Sequence, residues 1–101
     1  MRKGYLLSAH RKEANPTKRN AYAKLAGPAL EAAGGRFLAK GGRVEARENG
    51  ISERTILVEF ESYEATISAY ESPAYQEALD LLDGGADRDI RIIEGIDSAG
   101  S

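Results

Sequence analysis

The sequence predicts an α+β fold in which four antiparallel strands form one sheet and two helices cover one of its faces. Short apolar stretches with period-two alternation predict strands, and stripes of apolar residues three and four positions apart predict amphipathic helices. These elements follow one another in the order β-α-β-β-α-β, which is the split βαβ, or ferredoxin-like, arrangement. A chain of 101 residues is long enough for one such domain and too short for two.

The first part of the chain is predicted to form a strand and a long helix. Residues 5–9 (YLLSA) are apolar and short, as expected of a strand. Asn15 followed by Pro16 is typical of a helix start, with Asn as the N-cap and Pro at the first helical position. The apolar stripe that follows, at positions 22, 25, 26, 29, 30 and 33, ends at Gly34. Pro28 falls inside this stripe and is expected to kink the helix.

The rest of the chain is predicted to form a hairpin, a second helical region and a last strand. Residues 36–40 predict the second strand, and Gly41-Gly42 predicts a bulge that continues it to residue 48. Asn49-Gly50 is a strong hairpin signal, and the β-branched residues of 54–60 predict the returning strand. The remaining predicted elements are a helix capped by Ser62 that restarts at Ser72-Pro73 and ends at Gly84-Gly85, and a strand over residues 89–94.

Composition restricts the class of protein. The chain is 42% hydrophobic and 30% charged, which is typical of a globular domain, and we predict one domain over residues 1–96 with a disordered tail at 97–101. The absence of cysteine excludes disulfides, thiolate catalysis and cysteine-based zinc sites, and fits a reducing compartment. A net charge of −2, with no long apolar run and no signal peptide, predicts a cytoplasmic protein without nucleic-acid or membrane partners.

Two helices can cover only one face of the predicted sheet, and the other face is expected to stay apolar. Alternation assigns the following residues to the uncovered face: Leu6, Leu38, Leu57 and Ile93, mixed with Ser8, His10, Lys40, Glu59 and Arg91. Covering four large apolar side chains is worth roughly 6–12 kcal/mol as an upper bound, which is comparable to the net stability of a domain. We therefore expect two copies to pack sheet against sheet as an isologous homodimer.

The stretch 34–45, GGRFLAKGGRVE, repeats a Gly-Gly-Arg unit and raises the question of an anion site. Dinucleotide-binding glycines follow a strand and open a helix, whereas these follow a helix and lead into strands, so we interpret them as a helix C-cap and a strand bulge. Arg36 and Arg43 are candidate ligand-binding residues, because a guanidinium can hold a carboxylate through two hydrogen bonds. The alternative is a solvated strand end, or an ion pair with Glu45 or Glu59.

Two side chains are candidates for acid–base catalysis. His10, the one histidine, has a reference pKa near neutrality and could act as a general base on a carbon acid or lactone; the alternative is an exposed histidine beside Arg11-Lys12. Glu59 is either paired across strands with Arg91 or Lys40, or has a raised pKa and acts as an acid or base. With no cysteine and no second histidine, we predict no metal site, and we expect no cofactor.

These stretches together resemble the uncharacterised DUF1330 family, within the dimeric α+β barrel superfamily. The resemblance extends over residues 4–95 and is carried by GGRFLAKGGRVE (34–45), RTILVEF (54–60), AYESPAYQEAL (69–79) and DRDIRIIEG (87–95), with Asn15-Pro16, Tyr22 and Gly27-Pro28 in the first helix. It implies a ferredoxin-like protomer that dimerises through its sheet, with a cleft between the sheet and the helices. It implies no established activity.

The sequence departs from the family pattern near the expected cleft. The family's WY pair before its SPEY-like motif is Ala69-Tyr70 here, so Tyr70 is the candidate for lining a pocket, and a frequent arginine late in the second helix is Leu82. The tyrosines on the helical stripes, Tyr22, Tyr63 and Tyr75, are predicted to belong to the core. Relatives in the superfamily include cofactor-free monooxygenases, muconolactone isomerase-like enzymes, haem-handling proteins and ligand-binding regulators, and the fold alone does not choose among them.

The sequence therefore leaves function open between two classes. The first is a small-molecule-binding homodimer, either a binder or a cofactor-independent enzyme acting on a small carboxylate or lactone. The alternative is a non-catalytic interaction or stress-related module whose main activity is self-association. A third reading, a haem- or metal-linked monooxygenase, would depend on His10 alone.

Overall fold

The computed structural model describes residues 2–97 and confirms the α+β, ferredoxin-like fold. Its elements are β1 (Arg2–His10), α1 (Pro16–Ala32), β2 (Arg36–Lys40), β3 (Thr55–Phe60), α2 (Tyr63–Glu71), α3 (Pro73–Asp80) and β4 (Arg88–Asp97). The sheet order is β2-β3-β1-β4, and each neighbouring pair is antiparallel. Within residues 2–97, no helix is long and apolar enough to cross a membrane.

The helices begin at the residues that the sequence predicted. The side chain of Asn15 accepts a hydrogen bond from the backbone N–H of Lys18 at 3.0 Å and so caps α1. Ser62 and Ser72 cap α2 and α3 in the same way, at 3.0 and 3.3 Å. Helix α1 continues past Pro28 to the end predicted by Gly34.

The core lies between the three helices and one face of the sheet. Its largest fully buried side chains are Tyr75, Phe60, Val58 and Thr66. Leu30 and Ala26 of α1 are both 4% exposed and pack against this cluster. The core therefore fixes α1 and α3 over β1 and β3, which is where the cleft described below opens.

The prediction for the faces of β1 is wrong. Leu6 was expected on the uncovered face, but it is 3% exposed and lies opposite Val58, whose side chain is in the core. Ser8 and His10 alternate with Leu6, and each is only 6% exposed beneath the helices. Alternation separates two faces but does not say which one is covered, and the other face of this strand is equally apolar.

Gly4 explains why β1 takes this orientation. It is in phase with Leu6 and lies against Thr66 and the carbonyl of Ser62 at the start of α2, so closely that no Cβ would fit. A glycine in this phase allows the sheet and α2 to approach each other. If the other face of β1 were covered, a residue with a side chain would occupy the position of Gly4 against α2.

The prediction for Lys40 is also wrong, because β2 contains a bulge. The register with β3 shifts between Phe37 and Ala39, which leaves Leu38 as the extra residue. Lys40 therefore lies opposite Ile56 and lines the covered side of the sheet instead of the uncovered side.

The uncovered face keeps part of its predicted composition. Leu57, Ile93, Glu59 and Arg91 lie on it as expected, and Tyr5 and Leu7 take the places expected for Leu6 and Ser8. Ile93 is 61% exposed, and Leu38 is 45% exposed at the β2 bulge. An apolar strip mixed with charges therefore remains open to solvent in the single chain.

The long hairpin expected between β2 and β3 does not form. Residues 42–54 are not in strands, and the predicted extension to residue 48 has no partner strand. A local turn does occur at the Asn49-Gly50 signal: the N–H of Gly50 donates to the carbonyl of Arg47 at 2.9 Å. The turn signal is local, whereas the flanking segment, RVEARE, has only Val44 and Ala46 as apolar residues, which is too little apolar surface to hold it in a sheet.

The last strand is longer than predicted at its C-terminal end. Asp97, expected in the disordered tail, is the last residue of β4 and pairs with Arg2. The remainder of that prediction, residues 98–101, lies outside the described residues.

Candidate functional site: a cationic cleft between sheet and helices

A cleft opens on the covered face of the sheet, beneath α1. Its volume is about 50 Å³, which restricts the cleft to a small molecule. The apolar part of its lining comes from the core, and consists of Leu6, Ala23, Ala26, Leu30, Phe37, Ile56, Val58 and Leu82. The polar part gathers around the end of β1.

Three neighbouring chain segments place Arg54, His10 and Arg88 side by side at this end of the sheet. His10 pairs with Arg88 across β1 and β4, and its backbone N–H donates to the carbonyl of Arg54 at 2.9 Å. Arg19 of α1 and Lys40 of β2 complete the cationic lining. Among residues 2–97, no aspartate or glutamate lines the cleft, so its charge is positive on a chain whose net charge is −2.

Arg88 is held by neutral groups. Its Nη1 atom donates to the hydroxyl of Tyr22 at 3.2 Å and to Oγ of Ser8 at 3.4 Å, and its guanidinium carbon lies 5.1 Å from the centre of the Tyr22 ring. Burial tends to lower the pKa of Arg88, and the hydroxyls of Tyr22 and Tyr75 more than offset this, so the pKa is raised and the side chain stays a cation. No carboxylate of the described residues forms an ion pair with it.

Tyr22 joins Arg88 to the core. Its hydroxyl oxygen lies 2.6 Å from that of Tyr75, and the two rings meet edge to face with their centres 6.0 Å apart. Tyr75 is 1% exposed, and burial, followed by the neighbouring Tyr22 hydroxyl, raises its pKa. Both tyrosines were predicted to be core residues, and both also line the cleft.

His10 is poised as a neutral imidazole. Burial, followed by the charges of Arg88, Arg54 and Arg19, lowers its pKa below the ordinary histidine value. A neutral imidazole has one ring nitrogen free of a proton, which can accept a hydrogen bond or a proton from a bound molecule. Within residues 2–97, no group of three or more histidine, cysteine, aspartate or glutamate side chains is arranged to hold a metal ion.

Of the five side chains proposed from the sequence, the structure places His10 in the cleft and the other four elsewhere. Glu59 is on the uncovered face, where it forms an ion pair with Arg36 at 3.0 Å and accepts a hydrogen bond from the Tyr5 hydroxyl at 3.3 Å. An ion pair with Glu59 is one of the sequence-based alternatives to ligand binding by Arg36, and the structure has this pair. Arg91, expected to pair with Glu59, pairs with Asp89 instead, at 3.1 Å.

The two remaining candidates contribute to other parts of the molecule. Arg43 is exposed in the 42–54 segment and does not line the cleft. Tyr70 packs its ring 5.1 Å from that of Tyr75, behind the cleft wall, and its carbonyl accepts a hydrogen bond from Gln76 at 2.7 Å.

Arg54 and Arg88 are the site residues that the sequence prediction missed. A sequence signal for them exists, because each lies at the start of a strand, in phase with the strand's helix-facing residues: Arg54 precedes β3 in phase with Ile56, and Arg88 begins β4 in phase with Ile90. An arginine that continues a buried stripe is expected to lie at the rim of the covered face, next to the helices.

Residues 3–96 match the family described as Domain of unknown function (DUF1330). No functionally curated protein matches the chain.

Solved structures with the same fold include a protein of unknown function from Rhodopseudomonas palustris, at 20% identity and a TM-score of 0.69, covering 94% of this chain and 83% of that one. An ethyl tert-butyl ether D (EthD) family protein from Bacillus halodurans has 12% identity and a TM-score of 0.55, over 95% of this chain and 100% of that one. A protein from Nitrosomonas europaea whose name proposes antibiotic biosynthesis monooxygenase activity has 11% identity and a TM-score of 0.55, over 96% and 92%. At these identities the likeness concerns the fold alone.

Proposed function

This chain belongs to the DUF1330 family, a family of unknown function, and we propose that in this member the cleft binds a small carboxylate ligand, with Arg88 as its anchor. The supporting observation is a half-buried guanidinium that has neutral partners and no counter-ion among the described residues. A charge withdrawn from water is costly unless an opposite charge meets it. A planar carboxylate offers Arg88 two oxygens in the geometry that a guanidinium prefers.

The rest of the lining suits the body of such a ligand. Ile56, Val58 and Leu30 offer an apolar surface next to the cationic end of the cleft. The volume of about 50 Å³ limits the ligand to a short carbon chain or a small ring. A small organic acid, with an apolar portion and one charged end, matches both parts.

We propose further that His10 gives the cleft the capacity for cofactor-independent proton transfer. Its neutral imidazole lies beside Arg88, so a carboxylate held by Arg88 brings its neighbouring carbon or carbonyl group close to a base. The cations on either side would stabilise the enolate formed when His10 takes the proton. A keto acid or a lactone is the class of substrate that such chemistry requires.

Binding is tested by thermal unfolding with acetate, butyrate, pyruvate and benzoate, followed by calorimetric titration of any acid that stabilises the protein. A ligand at one hundred times its Kd should add about 2.7 kcal/mol to the free energy of unfolding. Arg88→Gln should abolish this gain. Arg91→Gln is the matched control, because Arg91 is on the same strand but on the uncovered face, and it should keep the gain. Failure of all four acids, or equal effects of the two variants, would contradict the proposal.

Catalysis is tested separately, by the exchange of solvent deuterium into a bound keto acid or lactone at the carbon next to its carbonyl. The wild-type protein should accelerate this exchange, and His10→Gln should lose the acceleration while it still binds the acid. Binding without exchange would favour a binding protein over an enzyme.

We also propose that the protein is a homodimer that packs through the uncovered face of its sheet. The support is an open apolar strip that contains Leu7, Leu57 and Ile93 on a face with no helix over it. If self-association is the main activity, as in the alternative interaction module, the dimer will form but the cleft will bind no acid. A monomeric mass by sedimentation at micromolar concentration would contradict the dimer.

A further inference from the structure

The cleft has cationic side chains on both sides of His10, and Arg88 accounts for only one side. On the other side, the guanidinium of Arg54 lies directly against Gly41, which has a φ of 71°, and a Cβ at Gly41 would displace this guanidinium. Lys40 precedes Gly41 in the chain, and its Nζ atom lies 4.4 Å from the centre of the Phe37 ring. We call Arg88 the β4 pole of the cleft, and Arg54 with Lys40 the β2 pole.

The two poles belong to different strands. The strand order is β2-β3-β1-β4, so three interstrand spacings, about 14 Å in all, separate the backbones of Lys40 and Arg88, and two spacings, about 10 Å, separate Arg88 from Arg54, which precedes β3. The side chains of both poles reach into the cleft, and each pole can hold an anionic group of its own.

Neither pole is neutralised by the protein. In the part of the chain that the structure describes, no carboxylate forms an ion pair with Arg54, Lys40 or Arg88. Glu13 and Glu53 do line a shallow opening outside His10, together with Lys12, Arg19 and Arg54, but they are not part of the cleft lining. The inner cleft thus has two separate positive ends and no negative side chain between them.

The surface between the poles has an apolar part beside His10 and Ser8. Ile56 lies between Lys40 and Ser8 in the sheet register, and Leu30 and Ala26 of α1 lie above it. A short methylene chain suits this surface, whereas a polar or branched linker would lose its hydration there without replacement hydrogen bonds.

From this arrangement we infer that the ligand of the cleft is a short linear dicarboxylate, with one carboxylate at Arg88 and the other at Arg54 and Lys40. This inference rests on the proposed function, since it assumes that the cleft binds carboxylates, and it adds the second acidic group and the residues that hold it. His10 lies between the two poles, so the carbon chain of the ligand would cross the imidazole.

The test compares acids that differ only in the second charge. Succinate, glutarate and adipate are each paired with the monoacid of equal length, butyrate, pentanoate and hexanoate, and Kd is measured by calorimetry at fixed ionic strength. At least one diacid should bind about tenfold or more tightly than its monoacid, because it gains a charge-assisted contact. Arg54→Gln should remove that difference, because it should weaken the diacid more than the monoacid, whereas Arg91→Gln on the uncovered face should change neither affinity.

The outcomes separate this inference from the proposed function. If monoacids bind through Arg88 but no diacid binds more tightly than its partner, the dicarboxylate inference is wrong and the proposed function stands. The inference is equally overturned if Arg54→Gln leaves the preference for the diacid unchanged. If no acid of either kind binds, both proposals fail. Lys40→Gln gives an independent check, because it removes the other cation of the β2 pole and should also reduce the preference for the diacid while Arg54 is intact. Circular dichroism will show that each variant is folded.

Discussion

The hydroxyl oxygens of Tyr22 and Tyr75 lie 2.6 Å apart, and this contact joins α1 to α3 directly behind the cleft. Because the Tyr22 hydroxyl also accepts a hydrogen bond from Arg88, the orientation of the proposed anchor depends on the packing of the two helices. Within the described residues, no fully buried side-chain nitrogen or oxygen atom lacks a hydrogen-bond partner.

Removing the Tyr75 hydroxyl should destabilise the protein. Tyr75→Phe deletes one hydrogen bond in a site that is 1% exposed, and such bonds contribute about 0.5–1.5 kcal/mol each. Tyr22 keeps its contact with Arg88, so the decrease in the free energy of unfolding should stay close to the value for one hydrogen bond. Tyr63→Phe is the control, since the Tyr63 hydroxyl bonds to no other residue in the 2–97 range, and urea unfolding of both variants measures the difference. An equal effect of the two changes would show that the Tyr75 hydroxyl has no special role.

Adding a methyl group at Gly4 should destabilise the fold strongly. The Cβ of Gly4→Ala would overlap Thr66 and the Ser62 carbonyl, and the strand and α2 would have to separate. Overpacking of this kind costs about 1–3 kcal/mol, to be measured by urea unfolding. Gly42→Ala should change stability by less than about 0.5 kcal/mol, because nothing lies within 4 Å of its Cβ position. A neutral Gly4→Ala would contradict the orientation of β1.

Stability should decrease as the pH falls below the ordinary pKa of histidine, and His10 should be a cause. The folded protein holds the His10 pKa below the ordinary histidine value of 6.5, chiefly by burial and then by the charges of Arg88, Arg54 and Arg19. Below pH 6.5 the unfolded chain therefore binds a proton that the folded chain does not, so the free energy of unfolding falls with pH until the folded pKa is reached. Well above pH 6.5, where the histidine is deprotonated in both states, His10 should contribute no pH dependence.

The variant His10→Gln isolates this contribution. Urea unfolding measured in small steps from about pH 7.5 to about pH 5.5, above the range where most carboxylates titrate, should give a shallower loss of stability for the variant than for the wild-type protein. A steeper loss in His10→Gln, or the same loss, would show that His10 is not disfavoured as a cation in the folded state.

Placing a charge on the uncovered face should dissociate the proposed dimer. Ile93→Asp removes an apolar side chain from each copy of an isologous interface. Because burial of each isoleucine is worth about 1.5–3 kcal/mol, the dissociation constant of the dimer should increase on the order of a hundredfold or more. Leu81→Asp is the control, because Leu81 is 40% exposed after α3, in the helical layer. Sedimentation velocity of both variants gives the mass. A dimeric Ile93→Asp protein would place the interface elsewhere.

The sequence predicts the order of elements well because its signals are local. Asn15-Pro16, Ser62 and Ser72-Pro73 act on the backbone within one helical turn, and each begins a helix where expected. The division of the second helical region at Ser72 follows from the same chemistry. Two kinds of ends differ from the prediction: those that depend on a partner strand, such as the extension after Gly41, and the end of α3, which lies at Asp80 instead of at Gly84-Gly85.

The site is harder to predict because it depends on which face of each strand is covered. The alternation in β1 is equally consistent with Leu6 or Leu7 in the core, and the wrong choice placed His10 on the open face. The bulge at Leu38 then reverses the side of Lys40. Tyr22 of α1 and Arg88 of β4 meet only through the packing of the helices on the sheet, which no spacing in the sequence encodes.

The central claim, that a small carboxylate contacts Arg88, is tested most directly by NMR of the arginine side chains during a titration with butyrate. The account predicts that the Arg88 Nε–H resonance shifts and saturates with the same Kd as calorimetry, whereas the resonance of Arg91, on the opposite face, stays in place. An Arg88 resonance that does not move while the acid binds, or that moves linearly without saturation, would contradict the claim.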